Sequence, residues 1–151
     1  MPKIKLFMDS SALISGIIST DGAARALLLL AETGHIELAI SEQVVAETER
    51  TIARKAPRAI IDFRRAIRAS KIRILRDPEV EEVRDNLHLI AHAADVPILL
   101  AAMQARVDFL VTLNRKHFID DAGVALKTGL RIATPGDVLG WFRRMIASGE
   151  K

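Results

Sequence analysis

Four polar residues stand close to the ends of apolar runs. Asp9 directly follows Ile4–Met8 (IKLFM), and Asn114 lies two residues past Thr112, the end of Phe109–Thr112 (FLVT). Glu47 sits within SEQVVAETER, and Asp95 precedes Pro97 by two. Carboxylates can serve as nucleophiles, as acids and bases, or as oxygen ligands for hard cations. Each also has a plainer reading. Asp9, with Ser10 and Ser11 behind it, suits a helix N-cap. Glu47 suits a solvated helix face, and Asp95 suits the first turn of a helix opened by Pro97.

Other chemistries lack their residues. There is no cysteine, so disulfide frameworks, thiol catalysis, zinc–thiolate sites and iron–sulfur clusters are excluded. No Gly-x-Ser-x-Gly elbow, Walker loop or Gly-x-Gly-x-x-Gly string exists. His88 and His92 are four apart and would share a helix face, but Leu89 stands where a zinc-protease motif needs Glu. They read as surface or partly buried histidines, and four histidines without cysteine do not suggest a zinc enzyme. Phosphatases with an aspartyl nucleophile after the first strand usually carry a second Asp two residues on; here that residue is Ser11.

The elements that must position these residues alternate. Ile4–Met8, Ile36–Ile40, Ile72–Leu75, Phe109–Thr112 and Arg131–Ala133 read as strands. Helices are expected over Ala23–Thr33, from Ser41 to Pro57, onward to Ser70, over Glu79–Ala94 with a break near Asn86, from Pro97 to Val107, and after Pro135. FLVT is continuously apolar, as in a strand buried on both faces. The alternation predicts an α/β fold with a parallel sheet covered on both sides. Sites in such sheets gather at the carboxyl ends of strands, which gives Asp9 a role beyond capping.

With 151 residues, half of them hydrophobic, the chain is expected to form a single domain, 1–151, with an ordered core. The longest apolar run, Ala26–Ala31, is too short to cross a bilayer, and MPKIKLFM lacks a signal-peptide core, so no membrane association and a cytoplasmic location are expected. Charge is unevenly placed. Arg50–Arg76 holds ten basic residues against Asp62 alone, while Asp77–Asp95 holds six acids against Arg84. The basic block suits a phosphate track, with Arg64, Arg65 and Arg68 its densest part. A solvated helix pair, or a face that meets the acidic block, is the alternative.

In order and spacing, LFMDSSALISG, SEQVVAETER, DVPILLAAMQARVDFLVT, LNRKHF and RIATPGDVL resemble the PIN-domain family, which includes the VapC-like toxins of toxin–antitoxin pairs. The resemblance spans nearly the whole chain. It implies a three-layer α/β/α fold around a central five-stranded parallel sheet. It also implies a metal-dependent endoribonuclease acting on single-stranded RNA, with an antitoxin partner and a homodimer for which the Ala23–Ala31 face is available.

By position, the first three acids of the family fall on Asp9, Glu47 and Asp95. The fourth falls on Asn114, where the family has Asp, and His117 stands where a further acid is often found. Asp9 and Asp95 would then be direct ligands of Mg2+ or Mn2+ and Glu47 a ligand or water-orienting group. Asn114 would be a neutral ligand or a hydrogen-bond partner of one, and Ser10 and Thr112 would orient the carboxylates. Asp120 or Asp121 is the alternative source of the missing acid. Two further readings compete: a degenerate member that binds RNA or a protein without cleaving, for which Asn114 speaks, and a phosphotransfer domain, against which Ser11 speaks.

Overall fold

Five strands, β1 (Ile4–Met8), β2 (Ile36–Ser41), β3 (Arg73–Leu75), β4 (Phe109–Val111) and β5 (Ile132–Ala133), pair in the order β3-β2-β1-β4-β5. Every pairing is parallel, with Phe7 beside both Ala39 and Leu110 and Met8 beside Val111. The computed structural model describes residues 3–149; Met1, Pro2, Glu150 and Lys151, at the ends of the expected domain, lie outside the described residues. Leu6, Phe7, Met8, Leu110 and Val111 are wholly buried, which is why β1 and β4 read as unbroken apolar runs rather than alternating ones. From β1 the chain steps outward through β2 and β3, then returns to the other side of β1 for β4 and β5. The direction reverses between β1 and β4, and a crevice opens there at the strands' carboxyl ends.

Helices α1 (Ser10–Ile18), α2 (Ala23–Glu32), α3 (Glu42–Lys55), α4 (Ile60–Ala69), α5 (Val80–Asp85), α6 (Val96–Ala105), α7 (Ala122–Thr128) and α8 (Pro135–Ala147) flank the sheet. This is the expected α/β/α architecture. Helix α1 packs closely on α2 at Gly16, where an added Cβ would lie 2.7 Å from the Leu28 side chain and 3.1 Å from the Ala24 carbonyl oxygen. Among the described residues no single helix is long and apolar enough to cross a membrane.

The break expected near Asn86 is present, but the expectation that Glu79–Ala94 continues as helix beyond it is corrected. Helix α5 stops at Asp85, single 3-10 turns follow at Leu87–Leu89 and Ala93–Asp95, and Ile90 between them is extended. Asn86 ends the helix by donating its side-chain amide to the Glu82 carbonyl at 2.7 Å, a local bond that competes with helical pairing. His88 and His92 therefore do not share a helix face. Two elements are not foreshadowed by the sequence pattern: α7 and a single π-helical turn at Arg115–Ile119.

Thr48 on α3 is fully buried, and its hydroxyl has no hydrogen-bond partner among the described residues. An unpaired buried hydroxyl costs roughly 1–3 kcal/mol, and Thr and Val have similar helix propensities. Thr48→Val is expected to raise unfolding stability by about 1 kcal/mol, read from the midpoint of a urea titration at unchanged slope. A fall in the midpoint would mean that the hydroxyl is satisfied in solution.

Candidate active site

Asp9 ends the central strand and begins α1. Its backbone N–H still pairs with the Val111 carbonyl of β4 at 3.1 Å, so the residue is fixed to two strands before its side chain does anything. Carboxylate Oδ1 accepts from the Ala12 N–H at 3.0 Å, the N-cap bond, and from Ser11 Oγ at 2.7 Å. Oδ2 accepts from Thr112 Oγ1 at 2.5 Å. The two hydroxyls are themselves held by the loop after β4: Leu113 N–H donates to Ser11 Oγ and Asn114 N–H to Thr112 Oγ1. A carboxylate offers about four acceptor positions. Three are used, and the remaining one is on Oδ2.

Asp9 is only 6% exposed. Burial pushes its carboxyl above the ordinary value of 3.8, and the negative charge of Asp95 adds to the rise. The hydrogen bonds from Thr112, Ala12 and Ser11 oppose this without cancelling it.

Ser10, Glu47, Asp95 and Asn114 open onto the same cleft as Asp9, a cavity of about 450 Å3 that His117 also lines, while Thr112 is buried behind Asp9. Glu47 comes from α3, started by Ser41, whose hydroxyl accepts from Val44 N–H. Its Oε1 accepts from Gln43 Nε2 at 2.8 Å, and the same amide nitrogen donates to the Ala94 carbonyl, which ties Glu47 to the turn that carries Asp95. Ser10 Oγ reaches Glu47 Oε2 at 3.4 Å. Asp95 makes no side-chain cap bond to α6, so the capping reading of it fails; its Oδ2 lies 2.9 Å from His117 Nδ1. Asn114 Oδ1 accepts from His117 N–H at 3.1 Å and so starts the π-helical turn.

Several residues stand elsewhere than the sequence suggested. Ser10 turns toward Glu47, and it is Ser11, given no such role in the sequence reading, that bonds Asp9. Neither Asp120 nor Asp121 lines the cleft, and Asp121 caps α7 through Gly123 N–H. Arg64, Arg65 and Arg68 are exposed on α4 and do not line it either; Arg50 does. Gln43 and His92 also line it, and the sequence pattern gave neither a role there. Gln43 was visible as the residue one helical turn before Glu47, the spacing that lets an amide brace a carboxylate.

Three carboxylates from three separate segments face one cleft, and one of them carries a burial cost on ionisation. This donor set fits a hard divalent cation, which takes oxygen ligands and offsets their mutual repulsion.

No curated protein matches the chain. Among solved structures, VapBC2 from Rickettsia felis, bound to a DNA fragment from its promoter, matches with a TM-score of 0.61 at 18% identity, over 87% of this chain and 98% of that one. A toxin–antitoxin complex from Klebsiella pneumoniae matches with a TM-score of 0.61 at 22% identity, over 86% of this chain and 97% of that one. VapC20 from Mycobacterium tuberculosis, a sarcin–ricin loop cleaving toxin, matches with a TM-score of 0.56 at 13% identity, over 74% of this chain and 91% of that one. At these identities the likeness is one of fold. The family model described as PIN domain matches residues 5–116, a stretch that takes in Asp9, Glu47, Asp95 and Asn114 together with most of the sheet that gathers them. On that match, the chain belongs to the PIN-domain family.

Proposed function

We propose that the protein is a metal-dependent endoribonuclease acting on single-stranded RNA, the toxin of a toxin–antitoxin pair. The observation that carries this reading is the meeting of Asp9, Glu47 and Asp95 in one cleft at the sheet's switch point. Asp9 and Asp95 would hold Mg2+ or Mn2+ directly, with Glu47 a ligand or an orienting group for water. When bound, the cation supplies charge for the scissile phosphate and acidifies a water.

The chain's own residues do the rest. Ser11 and Thr112 hold Asp9 so that one lone pair of Oδ2 stays free. Gln43 holds Glu47 by Oε1 and leaves Oε2 toward Ser10 and the cleft. Arg50, the one arginine or lysine lining this cleft among the described residues, suits a phosphate oxygen of the substrate. An antitoxin partner, pairing of two copies and a cytoplasmic location belong to the same reading. The partner is supported by the fold's likeness to toxins crystallised in toxin–antitoxin complexes.

A pool of end-labelled single-stranded RNA, incubated with the protein and Mg2+ or Mn2+, tests the reading. Cleavage that chelator abolishes is expected. A mobility shift without cleavage under either ion would favour the second reading, a domain that binds without cutting. Asn114 favours that reading, because it is neutral and its Oδ1 is already engaged by His117.

The exposed arginines of α4 extend the proposal to substrate binding. Helix α4 packs on α1, which follows Asp9, and on α3, which carries Glu47 and Arg50. Arg64, Arg65 and Arg68 reversed together to Glu should weaken RNA binding uniformly across sequences. The slope of log affinity against log salt should fall by about 2, the share of three phosphate contacts on a single strand. An unchanged slope would assign the block to solvation.

A further inference from the structure

We propose that His92, Asp95 and His117 form a nitrogen-rich site for a first-row transition ion of the Zn2+ or Co2+ type, beside the carboxylate cleft and sharing Asp95 with it. Each of the three offers one ligating atom, and these atoms lie within 4.8 Å of one another. The imidazole rings of His92 and His117 approach to 4.4 Å between centroids, tilted by 51°. Ligands about 2.0–2.2 Å from a shared ion stand roughly 3–4 Å apart, so the set closes with side-chain adjustments of about 1 Å. His92 is exposed and free to make them.

The backbone holds the donors in place from two separate segments. The His92 carbonyl accepts from Asp95 N–H at 2.9 Å, which closes the 3-10 turn and fixes the spacing of those two residues. His117 is fixed by the π-helical turn that Asn114 caps; such turns recur at functional sites. Among the described residues Asp95 pairs with no lysine or arginine, and its one ion-pair partner is His117. His92 and His117 line both the cleft and a second pocket of about 260 Å3, and Asp95 lines the cleft, so the donors border open space that water can enter.

The donor chemistry selects the ion. Two imidazoles and one carboxylate suit Zn2+, Co2+ or Ni2+, whereas Mg2+ takes oxygen ligands and retained water. The chain thus has a hard site at Asp9, Glu47 and Asp95 and a borderline one a few ångströms away. The second falls beside Asn114, where the family's fourth acid is missing. Any part it plays in RNA cleavage rests on the nuclease reading; the binding does not.

The test uses the full chain, stripped of metal, without RNA. Zn2+ is titrated calorimetrically, and Co2+ is followed by its visible ligand-field bands. Wild type is expected to bind, and His92→Ala and His117→Gln are each expected to weaken Zn2+ at least tenfold. His92 is exposed outside any α-helix, so its substitution should leave the fold intact by circular dichroism. His88→Ala, which removes an exposed histidine outside the cluster, should bind as wild type does. Asp9→Asn should lose Mg2+ and keep Zn2+. Wild-type Zn2+ affinity in both cluster variants, or an equal loss in His88→Ala, would overturn the site and leave the nuclease reading standing. RNA left uncut under every ion would sink the nuclease reading while leaving these titrations as they are.

Discussion

Asp95→Asn is expected to reduce Mg2+-dependent RNA cleavage by on the order of 100-fold or more, while unfolding stability stays within about 1 kcal/mol of wild type. The two halves of this result come from different features. Asp95 stands at the start of α6, but its side chain caps nothing and Pro97 already fits the first turn. The helix therefore loses only the charge at its N-terminus, worth about 0.3–1 kcal/mol. Two effects offset that loss. A carboxamide oxygen can still accept from the His117 ring, 2.9 Å away, and removing the charge relieves repulsion on Asp9. Binding a hard cation has no such substitute, because a neutral amide oxygen is a much weaker ligand than a carboxylate. Initial rates on a labelled RNA and thermal melts of the same two preparations decide it. Retained metal-dependent cleavage would remove Asp95 from the ligand set, and a large drop in stability would make its role structural.

What could be read in the sequence follows from how local each determinant is. Strands β1 and β4 were legible because a strand buried on both faces is an unbroken apolar run, with Leu6, Phe7, Met8, Leu110 and Val111 shut off from water, whereas the edge strands β3 and β5 are short and partly exposed and were legible only from their place between helices. Asp9 was legible because an acid immediately after such a run must stand at the carboxyl edge of the sheet, where ligands of this fold class bind. Glu47 and Asp95 were not separable from surface or capping acids by spacing, and they gained weight only through the resemblance. Their place in one cleft depends on the reversal between β1 and β4, which is a property of the whole sheet. Ser10 does reach a site carboxylate, that of Glu47, while the part of Ser11 could not be read from the sequence, because one residue along the first turn of α1 turns a hydroxyl from Glu47 to Asp9. The break near Asn86 was legible, but the pairing of His92 with His117 was hidden by reading the stretch beyond it as helix. The extended Ile90 separates His92 from His88 and lets it meet a residue 25 positions away.

Asp9→Asn separates the cost of burying a charge from the gain of binding a cation. The folded-state pKa of Asp9 lies above 3.8, chiefly through burial, so the native state holds this proton more tightly than the unfolded chain does. Below pH 3.8 both states are protonated and the group is neutral toward folding. As pH rises from there through the raised value, the native state must give up a proton that it binds tightly, and stability falls. The variant has no such proton. It keeps the bonds from Ser11 and Ala12, but its amide nitrogen faces Thr112 Oγ1, which leaves that hydroxyl's proton without an acceptor at a cost of about 1 kcal/mol. That cost does not vary with pH. In chelator, the melting temperature of Asp9→Asn minus that of wild type should therefore climb as pH rises above 3.8 and level off above the folded-state pKa. Mg2+ acts in the opposite sense, in favour of wild type. At a hundred times its dissociation constant the ion stabilises wild type by about 2.7 kcal/mol, a shift on the order of 8 °C for a chain of this length. A hundredfold weaker site in the variant would retain about 0.4 kcal/mol. Equal Mg2+ shifts in the two proteins would exclude Asp9 as a principal ligand, and a difference in chelator that does not change with pH would show that its carboxylate is not strained by burial.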